Sequence, residues 1–304
     1  MKKHLKIWLG ILLTVLAAVL TAWCLRGHTV SVLQPAGQIG HKERNLIAFT
    51  AGLSLVVVVP VLTMLGYFAW HYREDNKRAK YSPELEGNAI AETIWWLIPT
   101  VLLVVIGVIT WRSSYALDPF KPLSSTKKAL HVQVVALDWK WLFIYPGQNV
   151  ASVNVAAVPV GMPVDFEITS DTVMSSFWAP QLGGQMYAMP GMSTHLNLMA
   201  DKAGSYDGVA ANISGKGFSG MRFTIKAVSD AAFNSWVNTT HHAPHSLDVA
   251  SYAALSKPSK NNKPEFYGSV DSGLYDTIMT KYMMPTQTNI PHEHGTEPTG
   301  GTTP

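Results

Sequence analysis

Side chains able to do chemistry are few in this sequence, and they are scattered. The single cysteine, Cys24, closes an apolar run near the N-terminus. One cysteine makes no internal disulfide, no cysteine-based zinc site and no thiolate copper site in a folded domain, so acylation of its own thiol is the chemistry left to it. Met221 ends a glycine-rich stretch, YDGVAANISGKGFSGM (206–221). A thioether is a soft but weak metal ligand when it stands alone. Glu92 lies in AIAETIWWLIP, at the start of an apolar helix. There the helix dipole favours a carboxylate, and a group at a membrane edge can take protons from water and pass them inward. His241, His242 and His245 share a polar loop with no carboxylate or cysteine beside them, and read as solvated. No P-loop, GxSxG, HExxH or CxxC occurs, so no catalytic constellation is expected within the chain.

The elements that must carry these residues follow from composition and period. The chain has 304 residues, 47% apolar and 14% charged. That is too apolar for an ordinary soluble protein and too polar for a many-helix transporter, which points to a few spans plus one globular domain. A net charge of +3 without a basic, aromatic-interleaved surface gives no nucleic-acid footprint. Lys2, Lys3 and Lys6 precede the apolar run 7–23, the pattern of an export signal. With Cys24 next in line, 1–24 reads as a signal of the lipoprotein type, although Trp23 stands where a small residue is usual. The alternative is an uncleaved anchor with a free thiol. Residues 25–45 are polar and turn-rich, and should be external.

Residues 46–70 carry no charge and can cross a ~30 Å hydrocarbon core, with Pro60 placed to kink them. Residues 94–111 form the second span, with Trp95, Trp96 and Trp111 as interfacial anchors. The expected unit is a transmembrane hairpin over 46–112. Basic residues flank both ends, so orientation rests on the export signal. It puts the connecting loop in the cytoplasm and everything after residue 112 outside. From 131 onward, HVQVVALDWKWLFIYP, PVDFEITS, SSFWAP, THLNLMA and MRFTIKAV are short β-branched and aromatic runs split by Gly, Pro and Asp. They predict an all-β Greek-key sandwich over 125–228. Residues 229–285 read as a helical tail, and 286–304, with His292 and His294, as a disordered end.

Three motifs in this order, DWKWLFIYP, QMYAMPGMSTHLNL and YDG-x-x-A-x-x-SG-x-GFSGM, resemble subunit II of the cytochrome bo-type ubiquinol oxidases, members of the haem–copper oxidase superfamily. The likeness runs from about residue 38 to 284. It implies a cupredoxin-like sandwich and an aromatic-rich tail, matched by Phe233, Trp236, Tyr252, Phe266, Tyr267, Tyr275 and Tyr282. In copper-bearing relatives the loop supplies two Cys, a His and a Met to a copper pair, with a second His from an earlier strand end. Laid on this chain, those positions hold Ala210, Ser214, Phe218, Met221 and Ser175, with Asn212 between the two cysteine positions. The resemblance therefore implies a copper-free subunit with no cofactor of its own. The haems and copper would lie in subunit I, with ubiquinol as substrate of the complex. Subunits I, III and IV would be partners, in a bacterial inner membrane with the C-terminal domain in the periplasm. It also implies a proton-entry role for Glu92, since the family carries a Glu just before its W-x-x-P stretch, here Trp96 and Pro99. Trp139 and Trp141 lie where copper-bearing relatives receive electrons, and are expected to pack instead. Two rivals stay open: a copper-bearing cytochrome c oxidase subunit, and a membrane-tethered binding lipoprotein.

Overall fold

The computed structural model describes residues 30–74, 76–79 and 87–283, with four further positions (16, 19, 20 and 23) near the start. Cys24, His292 and His294 lie outside the described residues.

Two helices fit the expected hairpin, α1 (Gln38–His71) and α2 (Ala89–Ala116). Both are long and apolar enough to cross a membrane. Beyond the first turn of α1, where Ile39 is buried, most of their Val, Leu and Ile side chains point outward, as lipid-facing or subunit-facing surface must. α1 continues through Pro60 without a break. Asn88 caps α2, its side-chain oxygen accepting the Ile90 and Ala91 N–H groups.

α1 also begins earlier than the sequence predicts. At 34 residues it is about 51 Å long, so its first turns stand outside the bilayer. His41, Lys42, Glu43 and Arg44 are helical although they read as turn-forming. Docking on the β-domain explains this. Gly37 bridges to Ala200, the Gly40 N–H donates to Leu182 O at 3.1 Å, and Glu43 accepts the Gly184 N–H at 3.0 Å. Gly183 permits the approach: its φ is +129°, and a Cβ there would lie 2.6 Å from Ile39.

The expected sandwich is present, with ten strands in its own stretch: β1 (Leu130–Leu137), β2 (Lys140–Tyr145), β3 (Val150–Val153), β4 (Val155–Pro159), β5 (Val164–Ser170), β6 (Ser175–Ala179), β7 (Gly183–Ala188), β8 (Thr194–Leu198), β9 (Gly204–Ala210) and β10 (Arg222–Val228). The tail adds helices α3 (Asp230–His241), α4 (Val249–Leu255) and α5 (Leu274–Thr280), and short strands β11 (Ser246–Leu247), β12 (Glu265–Tyr267) and β13 (Ser269–Val270). One sheet runs β12-β3-β2-β1-β5-β8 and the other β4-β10-β9-β6-β7. Both are mixed, since β1 lies parallel to β5 and β4 parallel to β10. Between them Trp141, Phe143, Phe166, Phe177 and Phe223 fill the core, with Phe177 stacked on Phe223 at 4.5 Å.

The tail is more than an appendage. β12 extends the first sheet beside β3. Leu247, Tyr252, Leu255, Leu274, Tyr275 and Ile278 form a second core with Val135, Leu137, Leu142 and Ile144 on that sheet's outer face. β2 is consequently buried along its whole length. Even Lys140 is covered, its ammonium donating to Lys257 O at 2.9 Å and to the Ser259 hydroxyl.

Candidate functional site

The glycine-rich loop joins β9 to β10 and folds around the Met221 sulfur. Met221 follows a short 3-10 turn (Phe218–Gly220) and is 1% exposed. Ser175, the first residue of β6, sends its hydroxyl to within 3.9 Å of that sulfur. The Ser214 hydroxyl reaches it at 4.0 Å from the loop itself. Ala210 closes the ring, its N–H donating to Met221 O at 3.1 Å. Phe218 packs against the sandwich core from the same loop. Five positions picked out by resemblance are thus gathered at one end of the sandwich. Asn212 is not among them, since its amide turns away and donates to Met174 O at 3.0 Å.

The donor set at this centre is one thioether and two neutral hydroxyls. It contains neither thiolate nor imidazole, the groups that hold copper, so it does not fit a copper pair. Hydroxyls are weak partners for a thioether. What they do here is fill the space and leave the sulfur buried and inert.

Trp139 supports the loop from below. It takes a left-handed backbone conformation (φ +63°) in the tight turn between β1 and β2. Its indole N–H donates to Ser214 O at 3.0 Å. Gly217 lies so close to the ring that a Cβ would fall 2.2 Å from it. The Lys260 ammonium from the tail sits 5.7 Å from the ring centroid. Trp141 is wholly inside, edge-on to Phe177 and Phe223. Both tryptophans pack, as expected.

Glu92 is at the far end of the molecule. It lies in the first turn of α2, exposed, with its carboxylate folded back over Gly87. Some two dozen residues of helix separate it from Ala116, the domain end, or about 36 Å. The loop and the carboxylate are therefore two sites on opposite sides of a membrane. His241 and His242 are exposed, and their rings rest on the backbone carbonyls of Gly268 and Asn238. His241 is the last residue of α3 and His242 its C-cap, so of the three only His245, also exposed, stands in the loop beyond the helix. Among the described residues no group of three His, Cys, Asp or Glu is placed to hold a metal ion.

One functional side chain left no signal in the sequence. Asp171 follows directly on β5, and its carboxylate is 2% exposed. It accepts the Tyr252 hydroxyl at 2.7 Å, the Lys281 ammonium at 2.7 Å and the Tyr282 hydroxyl at 2.8 Å. These partners are 81 to 111 residues away, so no local pattern marks them. Asp171 fastens the tail, close in sequence to Ser175.

Comparison with known proteins agrees with this architecture. Residues 33–112 match the family model for the cytochrome c oxidase subunit II transmembrane domain, residues 130–228 that for its periplasmic domain, and residues 241–286 the COX aromatic rich motif. The chain is 47% identical to cytochrome bo(3) ubiquinol oxidase subunit 2 of Pseudomonas aeruginosa over 86% of its own length and 79% of that protein. It is 45% identical to ubiquinol oxidase subunit 2 of Acetobacter aceti over 86% of each chain. Against quinol oxidase subunit 2 of Bacillus subtilis it is 35% identical, over 84% of its own length and 80% of that protein. At this identity and coverage, the chain belongs to the ubiquinol oxidase subunit 2 family.

Proposed function

We propose that this chain works as a copper-free second subunit of a proton-pumping quinol oxidase, bracing the catalytic subunit rather than carrying electrons itself. The observation that carries the reading is the loop. Its frame around Met221 is complete, while Ser175, Ala210, Ser214 and Phe218 stand in the positions where strong ligands would be needed. A complex that draws electrons from a membrane quinol has no water-soluble donor to receive, so an external copper centre has nothing to do. Quinol oxidation and oxygen reduction belong, in this reading, to subunit I with its haems and copper, and subunits III and IV complete the assembly. α1 and α2 hold the chain in the bacterial inner membrane with the sandwich in the periplasm. Cys24, if acylated, adds a second hold.

Copper analysis tests this directly. The external domain of the purified complex is expected to contain no copper. Restoring the ligands with Ala210→Cys, Ser214→Cys, Ser175→His and Phe218→His is expected to produce a purple dinuclear centre, because the backbone that would present them is already in place. Two equivalents of copper in the unmodified domain would overturn the reading.

Glu92 is proposed as the proton-entry carboxylate on the cytoplasmic side. Its support is position: an exposed carboxylate at the first turn of a membrane helix, across the bilayer from the sandwich. Glu92→Ala is expected to slow quinol-driven oxygen consumption several-fold with haem spectrum and assembly unchanged. Glu92→Asp should be milder, since the proton-carrying group is only shortened. Full turnover in an assembled Glu92→Ala complex would leave the residue as an ordinary helix-start acid.

A further inference from the structure

The outer face of the first sheet is divided. Its β3, β2 and upper β1 part lies under the tail, but the remainder carries four titratable side chains that the loop and Glu92 do not involve. His131 from β1 lies between two carboxylates of β5. Its Nδ1 is 3.5 Å from Asp165 and its Nε2 3.1 Å from Glu167. His195 from β8 takes the other oxygen of Asp165, at 2.9 Å. Around them, Gln133 and Ser193 donate to Glu167 at 3.3 and 2.9 Å. Tyr275 of α5 meets the Ser193 hydroxyl at 3.4 Å, and Asp276 follows it in the chain. From the linker after α2, Phe120 lies 6.4 Å from the His195 ring.

Two features set this group apart from ordinary surface ion pairs. One is sharing: each carboxylate and each ring is within reach of another titratable group, so a proton can move among them without any side chain leaving its place. The other is location. β8 is where both membrane helices join the domain. The Asn197 N–H and side-chain amide both donate to Pro119 O at 3.1 Å, just past the end of α2. Ala200, just past β8, bridges to Gly37 at the start of α1. The group therefore stands at the foot of the domain, close above the outer membrane surface. Both rings keep about two-fifths of their surface in water, 42% for His131 and 40% for His195.

We propose that His131, Asp165, Glu167 and His195 form a proton-holding site at the outer membrane surface, keeping one proton on His131 between the two carboxylates and exchanging it with periplasmic water. Hydrogen bonds donated to Asp165 and Glu167 push His131 up from 6.5 to about 9. The same contact with His131 holds both carboxyls below their usual range. At neutral pH the site thus holds its proton on His131, between the two ionised carboxylates. Its use as a relay that hands its proton to periplasmic water and is refilled by protons released by the complex rests on the oxidase reading, whereas the proton site itself does not.

The test is a proton count on the intact purified complex. A potentiometric titration of wild type minus His131→Gln should show one proton released per complex between about pH 8 and 10, centred on the raised His131 value. In Asp165→Asn that release should move at least about one pH unit lower, a tenfold or greater loss of proton affinity. Thermal stability should follow the same group. His131 binds its proton more tightly folded than unfolded, so its contribution is complete below pH 6.5 and fades as pH rises through about 9. The His131→Gln complex should lack that fade. No difference in protons released across that range, or a release unmoved by Asp165→Asn, would overturn the site. A wild-type complex that fails to consume oxygen with quinol would count against the oxidase reading, while the proton count on its own decides the site.

Discussion

Gly208→Ala is expected to be among the most damaging single-methyl changes in the external domain. Gly208 is in β9 opposite Phe223 of β10, and the Phe223 ring folds over it. A Cβ at Gly208 would fall 2.1 Å from two ring carbons. That ring has nowhere to go. It is stacked on Phe177 at 4.5 Å and flanked by Trp141 and Phe143, both at 5.6 Å. Overfilling a well-packed core costs about 1–3 kcal/mol, more when several neighbours must shift. With three rings boxing in Phe223 we expect roughly 3 kcal/mol, a fall of about 6–12 °C in the midpoint for a unit of this size. Phe223→Leu should cost stability alone yet recover part of the loss in the Gly208→Ala background, a coupling that a double-mutant cycle reads directly. A midpoint shift within experimental error would show that the ring is free to move.

Asp171→Ala should release the tail. The substitution leaves the buried Tyr252 hydroxyl without its acceptor and Lys281 without its counter-charge. An unpaired buried hydroxyl costs about 1–3 kcal/mol. Lys281 is 57% exposed, so its share is small after solvent screening. A total of roughly 3 kcal/mol is expected, concentrated in residues 249–283. Hydrogen exchange should report it as lost protection in α4 and α5 while β9 and β10 stay protected. Asp171→Asn, which keeps the shape and an acceptor for Tyr252, should fall between. Protection of the tail unchanged in Asp171→Ala would mean that the apolar contacts of Leu274, Tyr275 and Ile278 hold it unaided.

The features legible in the sequence are the local ones. The loop of 206–221 announces its turns by its glycines, and Glu92 with the apolar run after it marks the start of α2, although the helix begins at Ala89, ahead of the span read over 94–111. The tail helices α3, α4 and α5 fall inside the stretch read as helical. What stays hidden depends on distant partners. The early turns of α1 are polar and become helical only because Leu182, Gly184 and Ala200 receive them. KWLFIY shows no clean alternation because β2 is covered by the core on one side and by the tail on the other. That second covering cannot be foreseen without knowing where Tyr252 and Leu274 go. Asp171 and the histidine–carboxylate group are invisible for the same reason, since their partners come from other strands or from the far end of the chain.

The way the sandwich meets its helices has a mechanical consequence. A domain that ferries something between partners needs slack at its root, so that it can swing out and return. Here α1 starts directly after a backbone bridge to Ala200, and the α2 linker is clamped by Asn197 just past the helix end. Both roots are stiff. Tilt of either helix in the bilayer must turn the sandwich with it, and a load on the sandwich must reach the helices. The molecule is built as a bracket.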